Sequence, residues 1–127
     1  MAPEMEEMVE NCKAKSNTCK NEIEALEKSP EKWRIEKGAA GSCVSAGFRA
    51  GCTTHNPGGG GTVRIIPSEF SLFATPAVPV NSVAVIGHEL GHALTDKIAE
   101  CNRPEAEVCA KQHENAVRKD VGLPARP

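Results

Sequence analysis

His88-Glu89-Leu90-Gly91-His92 is the stretch of this sequence whose residue types and spacing can do chemistry. On a helix, residues four apart lie on one face, one turn above the other. His88 and His92 can therefore aim two imidazole nitrogens at one point. Zinc accepts nitrogen ligands, and its catalytic sites take three protein ligands and keep one position for water. Glu89, one step from His88, sits beside such a metal rather than on it. A carboxylate there can take a proton from a water that the metal has made acidic. The expected cofactor is Zn2+ and the expected reaction is hydrolysis of an amide bond. The flanks agree: Val85, Ile86, Leu90, Ala93 and Leu94 are apolar, and no charge other than Glu89 falls between residues 82 and 95. Ionisable groups on a burial-prone helix are costly unless paired or metal-bound. A surface helix with chance histidines would not carry such flanks. Gly87 and Gly91 each cost about 1 kcal/mol of helix stability relative to Ala. Close approach of a neighbouring strand or of substrate would account for them.

Two histidines are too few ligands. No His-x-x-Gly-x-x-His continuation follows His92, which removes the class whose third histidine belongs to the same extended motif. Glu105, Glu107, His113 and Glu114 on a final helix are the candidates for the third ligand, with Asp96 behind them. An antiparallel helix starting near Pro104 returns to the level of residue 90 after about ten residues, since both helices rise about 1.5 Å per residue. That depth favours His113 or Glu114; Glu114 is preferred, with Glu107 second because it lies two turns earlier on the same face and serves if the helices splay. Taken alone, any one of these glutamates would otherwise mark a solvated face.

The elements that must position these groups are legible in outline. Residues 4 to 28 read as one helix or a helical hairpin broken near Ser16-Asn17-Thr18, with Met5, Met8, Val9 and Cys12, then Cys19, Ile23 and Leu26, at helical spacing. Ser29-Pro30 ends it. Trp33 and Ile35 alternate with charge and start a strand. Residues 38 to 61 read as a loop region ending in Gly58-Gly59-Gly60-Gly61, a linker rather than a mobile lip on a cleft. Thr62 to Ile66 reads as a strand stopped by Pro67, and it is expected to form the upper rim of the cleft and bind an extended peptide by strand addition. Asn81 caps the motif helix, which runs from Val83 to Ala99. Pro104 opens a last helix over 105 to 119, and Gly122 and Pro124 end it. The three parts, 1–37, 38–61 and 62–127, are expected to form a single domain.

Composition narrows the partners. The chain has 127 residues, with 15 basic against 17 acidic, three Phe, one Trp and no Tyr. Near-neutral charge and scarce aromatics argue against nucleic acid or an anionic membrane surface. No apolar run is long enough to span a bilayer. The acidic start Met1-Ala2-Pro3-Glu4-Met5-Glu6-Glu7 lacks the pattern of a secretory signal. Export by another route, or excision from a longer chain, is therefore expected. Six cysteines fall in three local couples, Cys12 with Cys19, Cys43 with Cys52, and Cys101 with Cys109. Close couples at this density predict three disulfides and an oxidising compartment. A cysteine zinc site is disfavoured, since no Cys-x-x-Cys is present.

The motif and its sequel resemble a known family. Gly87-His88-Glu89-Leu90-Gly91-His92-Ala93-Leu94-Thr95-Asp96 resembles zincin active-site helices of the thermolysin kind. Glu114-Asn115-x-x-Arg118 followed by Gly122-Leu123-Pro124-x-Arg126 is similar to the ending of effector and toxin metallopeptidases. These are delivered by bacterial secretion systems, as type III effectors or as C-terminal toxin domains of Rhs and VgrG proteins. The likeness covers residues 81 to 126, and residues 1 to 61 add nothing to it. That family is similar in turn to clostridial neurotoxin light chains, which use an Arg and a Tyr near the C-terminus to stabilise the transition state. Arg126 matches the Arg, and this chain has no Tyr to match the other. The resemblance also implies a glutamate ligand about where Glu107 lies. Glu114 would then orient a zinc-bound histidine from behind.

The expectation is a small α+β, zincin-like metallopeptidase domain with its active-site helix packed on the C-terminal helix beside a short sheet. It would hydrolyse peptide bonds as a secreted antibacterial effector or toxin, acting in a compartment such as a bacterial periplasm. His88, His92 and Glu114 or Glu107 would hold zinc, Glu89 would move the proton, and Arg126 or Arg118 would hold the oxyanion. A protein or peptide substrate, an immunity protein and a secretion-system carrier are the partners implied. The rivals are a peptidoglycan amidase or endopeptidase with the same metal chemistry, and a disulfide-stapled binding module whose zinc is structural.

Overall fold

Apolar residues at helical spacing build the N-terminal part as a hairpin of two helices, α1 (Pro3–Lys15) and α2 (Asn17–Lys28). The computed structural model describes residues 3–39, 41–43, 50–70, 81–94 and 106–126. Met5, Val9 and Cys12 on α1, with Cys19, Ile23 and Leu26 on α2, all turn into the core. The break falls at Ser16, whose hydroxyl accepts from Cys19 N at 3.1 Å as the cap of α2 and donates to Asp120 at 2.7 Å. Capping of this kind is worth about 1 kcal/mol. The Cys12–Cys19 disulfide closes the hairpin.

Three strands follow: β1 (Trp33–Lys37), β2 (Gly51–His55) and β3 (Gly61–Ile65), in the order β1-β3-β2. β3 runs parallel to β1 and antiparallel to β2. Its Gly61, Val63 and Ile65 are buried, while Thr62 and Arg64 are half-exposed. Arg64 meets Glu36 of β1 at 2.7 Å. The sheet corrects two expectations. The segment 38–61 is not all loop, because it holds β2. The 61–65 strand is not the rim, because it is paired on both sides and offers no edge to a peptide. The glycine run is the β2–β3 hairpin turn, closed by Asn56 N to Gly60 O at 2.9 Å. Gly60 has a φ of 74°, and a Cβ there would collide with the Lys32 carbonyl.

The motif helix α3 (Ser82–Ala93) starts at Asn81, whose side chain accepts from Ala84 N at 2.9 Å. It ends at Ala93 with Leu94 as its cap, short of the expected end at Ala99. Residues 95–105 lie outside those described. Every residue from Val83 to Gly91 is buried, so α3 is a central helix with no solvated face over that span. It lies against both helices of the hairpin, against β2 and β3, and most extensively against α4 (Ala106–Asp120). The two glycines of α3 serve that last contact. A Cβ on Gly91 would stand 2.7 Å from Ala110 Cα, and one on Gly87 would stand 2.9 Å from Val117 Cγ2. Gly87 and Gly91 thus admit a neighbouring helix rather than a strand or a substrate. The domain is a small α+β domain, with the motif helix packed on the C-terminal helix beside a short mixed sheet.

Two of the three expected cysteine couples are disulfides, Cys12–Cys19 and Cys43–Cys52. Cys109 is disulfide-bonded too. Cys101 lies outside the described residues.

Candidate active site

His88, Glu89 and Glu114 are sealed from solvent, at 0 %, 1 % and 0 % exposure, while His92 is half-buried. The His88 and His92 rings stand side by side with centroids 5.1 Å apart. Neighbouring rings on one helix face are the arrangement that two ligands of one ion require.

Glu114 reaches His88 from α4. Its Oε1 lies 2.9 Å from His88 Nδ1 and accepts from Arg126 Nη1 at 3.0 Å, while Oε2 accepts from Arg118 Nε at 2.6 Å. Burial opposes ionisation of Glu114, but the hydrogen bonds from His88, Arg118 and Arg126 together outweigh it and hold the carboxyl below its usual range. An ionised Glu114 can only accept, so Nδ1 carries the hydrogen and the lone pair of the neutral ring is on Nε2. That is the tautomer a metal-ligating histidine needs, with a carboxylate fixing the ring from behind.

This placement differs from the preference for Glu114 as third ligand. Both oxygens are committed, and the one facing His88 lies at the ring edge opposite Nε2. Arg118 departs from expectation as well. It is fully buried, with Nε on Glu114 and Nη1 pointing to Pro124 O at 3.4 Å, so in this structure it is turned to Glu114 and the C-terminal segment. Its charge instead neutralises Glu114. Arg126 is 27 % exposed and is set in place by its own backbone. Its N–H donates to Asn115 Oδ1 at 2.7 Å and its carbonyl accepts from Asn115 Nδ2 at 3.0 Å. Helix rise alone sets the level at which α4 meets His88, not the edge of the imidazole that the carboxylate faces.

Glu89 points the other way, toward the sheet. The Thr53 hydroxyl of β2 lies 2.9 Å from Glu89 Oε1 and 3.0 Å from its carbonyl oxygen. Sequence reasoning gave Thr53 no role, and nothing in the run Gly51-Cys52-Thr53-Thr54 marks it.

His113, the other imidazole considered as a ligand, is turned to α2. Its Nδ1 lies 2.7 Å from Glu22 Oε1. On α4 it stands about 100° round the helix from Glu114, on the flank that faces the hairpin. Burial pushes the Glu22 carboxyl above the usual range despite His113, and the hydrogen bond to Glu22 raises His113 despite partial burial. Both groups therefore hold protons more tightly in the folded state than in the unfolded chain. The His113 contribution is fully present below its unfolded value of about 6.5 and is lost as pH rises through the higher folded value. We expect the melting temperature of the metal-free protein to fall as pH rises above about 6.5, and His113→Gln to flatten that slope. An unchanged slope in the variant would show that the pair does not link α2 to α4 energetically.

Among the described residues, no group of three or more His, Cys, Asp or Glu side chains is placed to hold a metal ion. The side chain of Glu107, with all of Asp96 and Glu105, lies outside those residues. The donors that are described fit zinc in kind: two imidazoles four residues apart, one of them oriented by a buried carboxylate, with a second carboxylate adjacent in sequence. Comparisons with protein-family models, with curated proteins and with solved structures give no match to this chain.

Proposed function

We propose that this domain is a zinc-dependent peptidase, with His88, His92 and Glu107 as metal ligands and Glu89 as the proton carrier. The observation that carries the proposal is the buried hydrogen bond from His88 Nδ1 to Glu114, which puts the lone pair of the neutral ring on Nε2, the form that binds a metal. The carboxylate, itself held by two arginines, fixes both the orientation of the ring and its tautomer, as a metal-ligating histidine requires. Zinc held there would supply Lewis acidity, making a water acidic and polarising a scissile carbonyl. Glu89 takes the proton of the attacking water and passes it to the leaving amine. Arg126, the one of the two expected arginines with solvent exposure, is the group available to an oxyanion.

The peptide would lie along β2. Among the described residues β2 pairs only with β3, and the alternation of an antiparallel ladder turns the backbone groups of Gly51, Thr53 and His55 to the outer edge. An extended chain can add there, next to Glu89. The disulfides support action in an oxidising compartment, and the resemblance supports a secreted antibacterial effector or toxin domain. No helix among the described residues is long and apolar enough to cross a membrane.

The test is metal-dependent cleavage. Zinc-loaded protein is incubated with labelled casein and with bacterial periplasmic and cytosolic extracts. We expect new peptide ends that vanish with a chelator and return when zinc is restored. Cleavage indifferent to the chelator, or none by the loaded protein in any mixture, would remove the peptidase assignment.

A further inference from the structure

Glu89 is held from two directions by one face of β2. Gly51 and Thr53 alternate onto the same side of the strand and meet α3. A Cβ on Gly51 would stand 2.9 Å from Val85 Cγ1 and 3.1 Å from Glu89 Cγ, so the stem of Glu89 passes over bare backbone. Two residues along, the Thr53 hydroxyl lies 2.9 Å from the carboxylate Oε1. Cys52, between them, points to the other face and is tied to Cys43. Thr53 itself sits in the ladder opposite Val63. The strand that carries the hydroxyl is therefore anchored by the ladder with β3 along one edge and by the disulfide on the face away from α3.

The hydroxyl has one hydrogen and two acceptors within reach, Glu89 Oε1 and the Glu89 carbonyl. A general base must be ionised to take a proton, and a bond to an ionised carboxylate is about twice as strong as one to a neutral carbonyl, so in that state the hydrogen goes to Oε1. Glutamate has three side-chain torsions, and a carboxylate turned by one rotamer misses the water it must deprotonate. A misplacement of about 1 Å can cost about 100-fold in rate.

We infer that Thr53 is a positioning residue that fixes the Glu89 carboxylate for proton transfer, with Gly51 leaving room for its stem. The inference rests on the general-base role proposed for Glu89, but the hydrogen bond can be read without turnover. Protein labelled with 13C at the glutamate carboxyls is compared as wild type, Thr53→Val, Thr53→Ser and Thr53→Ala at one near-neutral pH. Glu89→Gln identifies the Glu89 resonance. That resonance should move in the Val and Ala variants and return toward the wild-type position in Ser. In zinc-loaded protein acting on labelled casein, kcat should fall about 10–100-fold in Val and recover in Ser, with KM within about two-fold and zinc content unchanged. The Ala variant carries the same test if Val disturbs the strand. A Glu89 resonance that stays put in both Val and Ala overturns the inference, whatever the activity. A resonance that follows the hydroxyl while wild type leaves casein intact upholds the clamp and counts against the peptidase assignment alone.

Discussion

Glu89→Gln will remove hydrolysis while leaving the fold and the zinc content of the domain intact. The amide matches the carboxylate in shape, so its stem still lies over Gly51 and its oxygen still accepts from Thr53. What it loses is the ability to take a proton. General-base contributions are typically about 10²–10⁴-fold in rate, and the loss should fall in kcat. Glu89 is buried, and a neutral group there avoids the cost of a desolvated charge. The thermal midpoint of the variant should therefore match or exceed that of wild type. Metal analysis, thermal unfolding and cleavage assays on the same preparation check all three parts. Cleavage within a few-fold of wild type would mean that Glu89 carries no proton, and the sealed carboxylate would then need a structural explanation.

The helices were legible because each presents apolar residues at intervals of three and four. Met5, Val9 and Cys12, or Cys19, Ile23 and Leu26, suffice to phase the hairpin, and Ser16 and Asn81 announce the helix starts by capping chemistry. The ends were less legible. α3 stops at Ala93, although no breaker in the sequence stops it there. β2 was missed because Gly51-Cys52-Thr53-Thr54-His55 has no apolar alternation. It is a strand because β3 pairs with it and Cys43 tethers it, both matters of tertiary structure. The same limit hid Thr53. A hydroxyl becomes interesting only once a strand brings it beneath a carboxylate 36 residues away in sequence. Arg118 and Arg126 look alike in sequence, and burial separates them. One is locked inside against Glu114, and the other reaches the surface on a segment fixed by Asn115.

The second large effect concerns the two glutamates of α4. Glu114→Ala should destabilise the metal-free protein by about 3–5 kcal/mol, because it strands a buried guanidinium without its counter-charge. Arg118 has no exposed surface, and its Nη2 already makes no hydrogen bond among the described residues. The loss should depend on pH. Glu114 is held below its ordinary carboxylate range, so its stabilising share is present above the unfolded value and disappears as pH falls through the folded one. Denaturant titration of wild type and variant should therefore converge in acid. Glu114→Gln keeps an acceptor for Arg118 and an oxygen facing His88 Nδ1, so it separates the metal question from the stability question. If Glu114 only orients His88, the Gln variant should bind zinc about 10–100-fold more weakly and still purify with some metal under zinc-replete conditions. Glu107→Ala should lose zinc outright, because two histidines are then left to hold it. The opposite pattern, with zinc absent from Glu114→Gln and retained by Glu107→Ala, would make Glu114 the ligand. The bond at His88 Nδ1 would then have to open when metal binds, and Arg118 and Arg126 would have to tolerate a dication on the carboxylate they neutralise. That crowding of positive charge is the physical reason to place the ligand at Glu107.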